Sequence, residues 1–189
     1  MKSMVIMLML LCAAAAFAQQ GEGSDRGSSP VHRPMLINEM YYFRTTGELE
    51  KQYPTAAGIS VGYGIFYRDI MLKTQIGYSG FSVNPDSAGV SGSLSEFHFL
   101  AGPRYFIAKG DFMPYISATV GVTIVTETGP HMIDVNGRIL FATEYGVGTM
   151  FNVVDDMGLD LAAKYNSHFF YDPRMMTGFE YCFGLTWTL

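Results

Sequence analysis

Residues 59–67 read ISVGYGIFY, and a large apolar side chain occupies every second position of this segment. The members of that face are Ile59, Val61, Tyr63, Ile65 and Tyr67. Alternation with a period of two places successive side chains on opposite faces of a β-strand. The segment therefore predicts a strand with one fully apolar face.

The same alternation recurs in six later segments and, less clearly, in one earlier segment. The later segments are 70–78, 97–105, 116–124, 139–151, 159–165 and 179–189. The inner face of the earlier segment, 35–45, is ambiguous because Asn38 and Glu39 fall on opposite sides of the strand. Together these segments predict an all-β chain of eight antiparallel strands.

The connections between the predicted strands alternate in length along the chain. The short ones are 68–69, 108–111 and 155–158, and the long ones are 46–56, 82–93, 125–137 and 167–176. Short turns on one side and long loops on the other are typical of a transmembrane up-and-down barrel. We therefore predict such a barrel over residues 34–189, with an extracellular ligand as a possible partner of the four long loops.

In the seven clear strands, which are 59–67 and the six later segments, charged residues are confined to one face. The apolar face carries none, and its polar members are Thr74, Thr143 and Thr149. A charged side chain facing lipid costs about 2–4 kcal/mol at the bilayer midplane. A soluble eight-stranded barrel has the reverse arrangement, with an apolar interior and a charged exterior. The apolar face is therefore predicted to contact lipid, and the charged face to line the lumen.

The predicted lumen carries acids and bases whose charges must be paired or hydrated. We predict a lumen polar network of Lys73, Glu96, Arg104, Glu144, Asp160, Lys164 and Glu180. Counting across the hairpins places Lys164 near both Glu144 and Glu180. Side chains just fill the interior of an eight-stranded barrel. The main prediction is therefore a plugged barrel with a structural or surface-interaction role, and the alternative is a narrow channel for ions or small solutes.

The first 18 residues have the composition of a cleavable signal peptide. Lys2 precedes an unbroken apolar run, and Ala16-Phe17-Ala18 fits a small-x-small cleavage site. Cleavage there starts the mature chain at Gln19, and residues 19–33 are predicted to form a flexible polar tail.

Two cysteines allow an alternative at the amino terminus. Processing as a lipoprotein would cut before Cys12, but Leu11 is bulky where a small residue is expected. Cleavage after Ala18 leaves Cys182 alone, and a lone cysteine forms no internal disulfide. We expect Cys182 to be an inert small residue.

The overall composition excludes several classes of function. The chain has 189 residues, enough for one domain, and its net charge of −5 argues against a nucleic-acid partner. No cofactor-binding motif is found, so no cofactor is predicted. The histidines show no ligand spacing, so no metal site is predicted either. They are His32, His98, His131 and His168.

The carboxyl-terminal strand carries a family resemblance. Gly184, Trp187 and Leu189 resemble the terminal sorting signal of bacterial outer-membrane barrels, although that signal usually ends in phenylalanine. The segments GPRYF, 102–106, and PYISATVG, 114–121, look like the central hairpin of the small OmpA/OmpX-type barrel domains. The resemblance implies a monomer in the outer membrane of a Gram-negative bacterium. It also implies export through the periplasm and insertion into outer-membrane lipid by the barrel-assembly machinery.

Some small barrels of this kind are lipid A-modifying enzymes, which gives a third class of function. The residues Ser167, His168 and Asp172 supply the side-chain types of a hydrolase. However, adjacent strand residues point to opposite faces, and the His-x-Ser order of the deacylase barrels is missing. We therefore predict no catalytic residues and no enzyme.

The aromatic stretch 168–172, HFFYD, allows two interpretations. It belongs either to an aromatic girdle at the membrane interface or to an adhesive loop tip.

Overall fold

The computed structural model describes residues 34–84, 92–128, 138–154, 156–169 and 175–189. Its eight strands are β1 Pro34–Thr46, β2 Thr55–Tyr67, β3 Ile70–Ser82, β4 Ser93–Phe106, β5 Phe112–Thr128, β6 Arg138–Val154, β7 Met157–Phe169 and β8 Met175–Thr188. A short 3₁₀ helix, Gly47–Leu49, follows β1. Within these residues no helix is long and apolar enough to span a bilayer. The predicted signal peptide, 1–18, and polar tail, 19–33, lie outside the described residues.

The strands form one closed barrel in sequence order, and every neighbouring pair is antiparallel. The last strand closes the barrel against the first, with Glu39 opposite Gly184 and Leu36 opposite Trp187. At the seam the Leu189 N–H donates to the Pro34 carbonyl at 2.9 Å. The predicted fold class, an all-β barrel of eight antiparallel strands, is confirmed.

The barrel has a short-turn end and a long-loop end, as predicted. Arg68 and Asp69 alone connect β2 to β3, and Arg68 adopts a left-handed backbone with φ of 57°. Five residues, 107–111, connect β4 to β5, and two residues, 155–156, connect β6 to β7. Antiparallel neighbours need only tight turns, so the short-turn end is compact.

The long loops are shorter than the sequence predicted. β5 continues to Thr128 and β7 to Phe169, so the predicted loops 125–137 and 167–176 lose residues to the strands. The predicted loops 46–56 and 82–93 shorten at their ends in the same way. The prediction ended each strand at its last lipid-facing apolar residue, whereas backbone pairing continues above the apolar band.

The two faces of the barrel differ as the sequence predicted. Lipid-facing residues such as Ile59 and Val61 are 62 % and 54 % exposed, whereas lumen residues are buried. β1 resolves the ambiguous face, because Glu39 points inward and is 2 % exposed while Asn38 lies on the lipid side. A carboxylate facing inward can pair with lumen cations, which offsets its desolvation.

Two separate apolar clusters occupy the lumen. The loop-side cluster consists of Phe43, Leu49, Tyr53, Ala56, Phe81, Leu94, Val125, Leu140 and Met176. The turn-side cluster consists of Met35, Ile37, Met71, Phe106, Tyr115 and Met150.

The polar residues of the lumen lie between these clusters. On β3, for example, Lys73, Gln75 and Ser79 follow Met71 of the turn-side cluster and precede Phe81 of the loop-side cluster. We call this layer the polar belt. Its ionisable members are Glu39, Lys73, Glu96, His98, Arg104, Glu144, Asp160, Lys164, His168 and Glu180.

Candidate functional site: the polar belt

Glu39 is the centre of the polar belt. Its Oε1 lies 2.5 Å from Lys73 Nζ and 3.4 Å from Arg104 Nη2, and its Oε2 lies 3.1 Å from Lys164 Nζ. The Ser60 hydroxyl also donates to Oε2 at 3.3 Å. The three cations come from β3, β4 and β7, and none of these strands is hydrogen-bonded to β1. Glu39 therefore connects opposite walls of the barrel.

Arg104 forms a second set of contacts toward the short-turn end. Its Nη1 lies 2.6 Å from Asp160 Oδ2, and the Tyr115 hydroxyl donates to Asp160 Oδ1 at 2.6 Å. The guanidinium also stacks over the Tyr115 ring, with its central carbon 3.9 Å from the ring centroid. Both oxygens of Asp160 are therefore satisfied, and the turn-side cluster is joined to the belt through Tyr115.

Lys164 lies between two further carboxylates. Its Nζ is 3.2 Å from Glu180 Oε1 and 3.5 Å from Glu144 Oε1. Glu180 also accepts hydrogen bonds from Asn166 Nδ2 at 2.7 Å and from the Cys182 thiol at 2.9 Å. The structure thus brings Glu144, Lys164 and Glu180 together, as counting across the hairpins predicted.

Glu96 lies apart from the lysines and pairs with a histidine. Its Oε1 is 2.9 Å from His168 Nδ1, and Ser79 donates to Oε2 at 3.5 Å. The His168 ring stacks on Phe43 at 6.4 Å, so the pair contacts the loop-side cluster. His98 is also buried, but within the described part of the chain its Nε2 has no hydrogen-bond partner.

Burial gives this network its energetic importance. Arg104, Lys164 and Glu39 are each 2 % exposed or less, so water does not screen their charges. Breaking a buried pair by removing one partner typically costs about 3–5 kcal/mol, because the other charge is left uncompensated. The belt therefore holds its side chains in one arrangement as long as all partners are present.

A segment of the first loop covers the long-loop end of the lumen. Leu49 and Tyr53, which lie between β1 and β2, are 2 % and 1 % exposed. The Tyr53 hydroxyl donates to Glu127 Oε1 at 2.6 Å, and the Thr45 N–H donates to the Pro54 carbonyl at 3.0 Å. Burial, and then the neighbouring Glu127 carboxylate, raise the pKa of the Tyr53 phenol. We call residues 47–54 the cap.

Two of the three hydrolase residues considered from the sequence, Ser167 and His168, are described, and they do not share a face of the barrel. Ser167 and His168 are neighbours in β7 that project from opposite faces, since His168 lines the lumen and pairs with Glu96. Asp172 lies outside the described residues. His32, His131 and the aromatic residues 170 and 171 lie outside them as well. In the described part of the chain no group of three His, Cys, Asp or Glu residues is arranged to hold a metal ion.

The predicted sorting-signal residues lie at the seam of the barrel. Gly184 faces the lumen next to Glu39, where a Cβ would approach both the Asn38 carbonyl and the Glu39 side chain. Trp187 is half-buried, and Leu189 is 68 % exposed at the chain end. Their role in assembly stays a prediction.

Three features of the interior were missed at the level of sequence. They are the central position of Glu39, the two apolar clusters and the cap. One signal was present for Glu39, because an ionised carboxylate is costlier in lipid than the amide of Asn38. No pattern in the sequence predicts the cap, because the burial of its side chains depends on the conformation of the loop between β1 and β2.

No family model and no curated protein matches the chain. Solved structures do match it. Neisserial surface protein A, NspA, is 14 % identical with a TM-score of 0.58, and the match covers 82 % of this chain and 97 % of NspA. Ail, the attachment invasion locus protein of Yersinia pestis, is 15 % identical with a TM-score of 0.59, and the match covers 84 % of this chain and 100 % of Ail. The chain therefore has the fold of the small eight-stranded outer-membrane barrels, and the predicted resemblance and localisation are confirmed at the level of the fold.

The same fold also occurs in an enzyme. The outer membrane enzyme PagL is 14 % identical with a TM-score of 0.53, and the match covers 78 % of this chain and 97 % of PagL. The fold alone therefore does not decide between an enzyme and a non-enzymatic barrel.

Proposed function

We propose that this protein is a non-enzymatic, monomeric outer-membrane barrel whose lumen is sealed, and that its role is in envelope structure or in surface interaction through its long loops. One observation carries the proposal: apolar clusters close the polar belt at both ends. A continuous aqueous path would have to pass both clusters.

The seal at the long-loop end is built from aromatic side chains and the cap. Phe43 and Phe81 contact edge to face with ring centroids 5.7 Å apart, and Tyr53 of the cap contacts Phe81 at 6.5 Å. Such edge-to-face contacts favour one packed arrangement. Leu49 adds a buried aliphatic side chain to the same cluster.

The seal at the short-turn end has a similar construction. The rings of Phe66 and Phe106 lie 5.2 Å apart, and those of Phe106 and Tyr115 lie 5.5 Å apart. Met71 and Met150 are both 0 % exposed, and their flexible side chains fill the remaining space. These side chains oppose the channel alternative, because charged solutes would have to displace both seals.

The long loops are the part of the barrel that could bind a partner at the cell surface. Ail, whose name describes attachment and invasion, has been solved in complex with the heparin analogue sucrose octasulfate. The described strand ends that flank the predicted loops 46–56, 82–93, 125–137 and 167–176 lie at the same end of this barrel, and we propose these loops as its binding surface. Replacing residues 169–171 with serine tests the aromatic tip: intact folding with lost adhesion supports it, whereas failed assembly supports a girdle.

Cys182 provides a direct test of the sealed lumen. It is buried, lies on the lumen face beside Glu180 and is the free cysteine of the described chain. In the mature chain refolded into vesicles, we expect a small thiol reagent to label Cys182 only after unfolding in urea. The matched control is Leu49→Ala with Phe81→Ala, which opens the loop-side cluster and should make Cys182 reactive without urea. Rapid labelling of the unmodified protein would contradict the seal.

The enzymatic alternative is tested on the lipid. Overexpression of a lipid A-modifying barrel changes the mass of lipid A. We expect the mass to stay the same with this protein, because Ser167 and His168 project from opposite faces of β7. A mass change that depends on His168 would overturn the proposal.

A further inference from the structure

A small cavity lies inside the polar belt next to the loop-side cluster. Its volume is about 20 Å³, which is room for a single particle the size of water. Its polar lining residues are Tyr41, Ser79, Glu96, His98, Glu144, Asn166, His168 and Glu180, and Phe43, Phe81 and Leu100 complete the wall. Three carboxylates therefore line a space that is too small for organic molecules.

Glu144 is the most loosely held carboxylate in this wall. Its contacts are Lys164 Nζ and Gln75 Nε2, both at 3.5 Å, and the Thr119 hydroxyl at 3.4 Å. By comparison, the other two carboxylates of the wall, Glu96 and Glu180, have partners at 2.9 Å and 2.7 Å. Glu144 is nevertheless only 3 % exposed, so bulk water does not supply the missing interactions.

Asn166 provides an independent observation at the same cavity. Its Nδ2 donates to Glu180 Oε2 at 2.7 Å, which fixes the orientation of the amide because a carboxylate accepts hydrogen bonds. Its Oδ1 is buried and has no hydrogen-bond partner among the described residues, and Asn166 is 6 % exposed. An unpartnered acceptor beside carboxylates calls for a cation or a hydrogen-bond donor.

The charges of the polar belt do not balance. The carboxylates Glu39, Glu96, Glu144, Asp160 and Glu180 outnumber the cations Lys73, Arg104 and Lys164 by two. Protonation of His168 beside Glu96 reduces the excess to one negative charge. His98 does not remove it, since its unpartnered Nε2 favours the neutral imidazole. A water molecule in the cavity would satisfy hydrogen bonds but would leave this charge uncompensated.

We infer that the cavity binds one small monovalent cation of the size of sodium, through the Glu144 carboxylate and the Asn166 carbonyl oxygen. Hard cations select oxygen ligands, and Tyr41 lines the same space. The Lys164 ammonium contacts Glu144 through Oε1, which leaves Oε2 to the cation and the distant Gln75 amide. This site is independent of the proposed function, because it requires only a folded barrel.

The test compares sodium with a cation too large for the cavity. The mature chain is refolded into uncharged phosphatidylcholine vesicles, and urea unfolding is followed by the fluorescence of Trp187, the single tryptophan. The salts are NaCl and choline chloride at equal concentration. A site with a dissociation constant of about 30 mM, measured at about 300 mM salt, lowers the unfolding equilibrium constant about tenfold. We expect this difference for the unmodified protein.

Variants locate the effect. Glu144→Gln should remove the sodium dependence, since it removes the excess charge and the main ligand. Glu127→Gln, the same change at a buried carboxylate in contact with the cap, should keep it. If Glu144→Gln does not refold, Asn166→Ala serves instead and should lose most of the tenfold difference.

Two outcomes would overturn the inference. Equal unfolding constants in NaCl and choline chloride would show that no sodium-sized ion binds the folded barrel. Stability that responds to acid but not to sodium would show that a proton on a belt carboxylate neutralises the excess charge.

Discussion

Glu39→Gln removes the carboxylate that joins three buried cations, and its consequence can be worked out cation by cation. Arg104 keeps Asp160 at 2.6 Å, and Lys164 keeps Glu180 at 3.2 Å. Lys73 has no other carboxylate within ion-pair distance among the described residues, and it is 4 % exposed. The variant therefore leaves one uncompensated buried ammonium.

Leaving such a charge costs about 3–5 kcal/mol of unfolding free energy. Urea unfolding in vesicles, reported by Trp187, measures the loss. Adding Lys73→Met to Glu39→Gln removes the orphaned ammonium, so we expect the double variant to recover about 1–3 kcal/mol relative to the single variant.

A matched exposed pair provides the control for this experiment. Asp69 and Lys109 are 2.5 Å apart in the short turns, but their side chains are 51 % and 63 % exposed. Asp69→Asn should therefore cost at most about 1 kcal/mol, because water screens the pair. Equal losses for Glu39→Gln and Asp69→Asn would refute the reasoning that burial makes Glu39 central.

Two further substitutions test the strand packing and the cap. Gly102→Ala should cost about 2–3 kcal/mol of unfolding free energy or prevent folding, because the new Cβ would overlap the Ala118 backbone. In its control, Gly80→Ala, the new Cβ meets no atom within 4 Å, so this variant should be neutral in the same urea assay. Tyr53→Phe removes the hydrogen bond to Glu127 and should cost about 1–3 kcal/mol near neutral pH. The pKa of the Tyr53 phenol is raised on folding. The contribution of its hydroxyl to the free energy of unfolding is therefore fully present below about pH 10 and should decline as the pH rises above that value. Urea titrations at several pH values compare the unmodified protein with Tyr53→Phe. A difference in unfolding free energy that stays constant as the pH rises would contradict this role of Tyr53 in the cap.

The strands and their faces could be predicted because both depend on local pattern. A strand has only two possible faces, and moving the register by one residue would turn every side chain of an apolar set such as Ile59 and Val61 toward the lumen. Contacts between adjacent strands follow from the same pattern. Lys164 and Glu180 are directly opposite each other in the β7–β8 ladder, so counting across the hairpin was sufficient.

Contacts across the lumen could not be predicted in this way. Glu39 reaches Lys73, Arg104 and Lys164 from a strand that pairs with none of theirs. Such contacts depend on barrel closure and on side-chain length, neither of which appears in an alternation pattern. The cap is a similar case, because a 3₁₀ turn in a loop brings Leu49 over the lumen.

The two apolar clusters were not predicted from the sequence for a different reason. Met71 and Phe81 lie on the inner face of β3 at its two ends, and the polar residues between them, Lys73, Gln75 and Ser79, made the whole face look polar. An inner face that is polar in the middle and apolar at both ends is the pattern that a sealed lumen requires.

The sealed lumen is tested most directly by single-channel conductance of the refolded mature protein in a planar bilayer. Insertion is established independently by the fluorescence of Trp187 in the same lipid. We expect no discrete current steps if, as we propose, the loop-side and turn-side clusters seal the lumen against ions. Reproducible steps that disappear when Glu144, Lys164 or Glu180 is replaced would contradict the seal and identify the polar belt as an ion path.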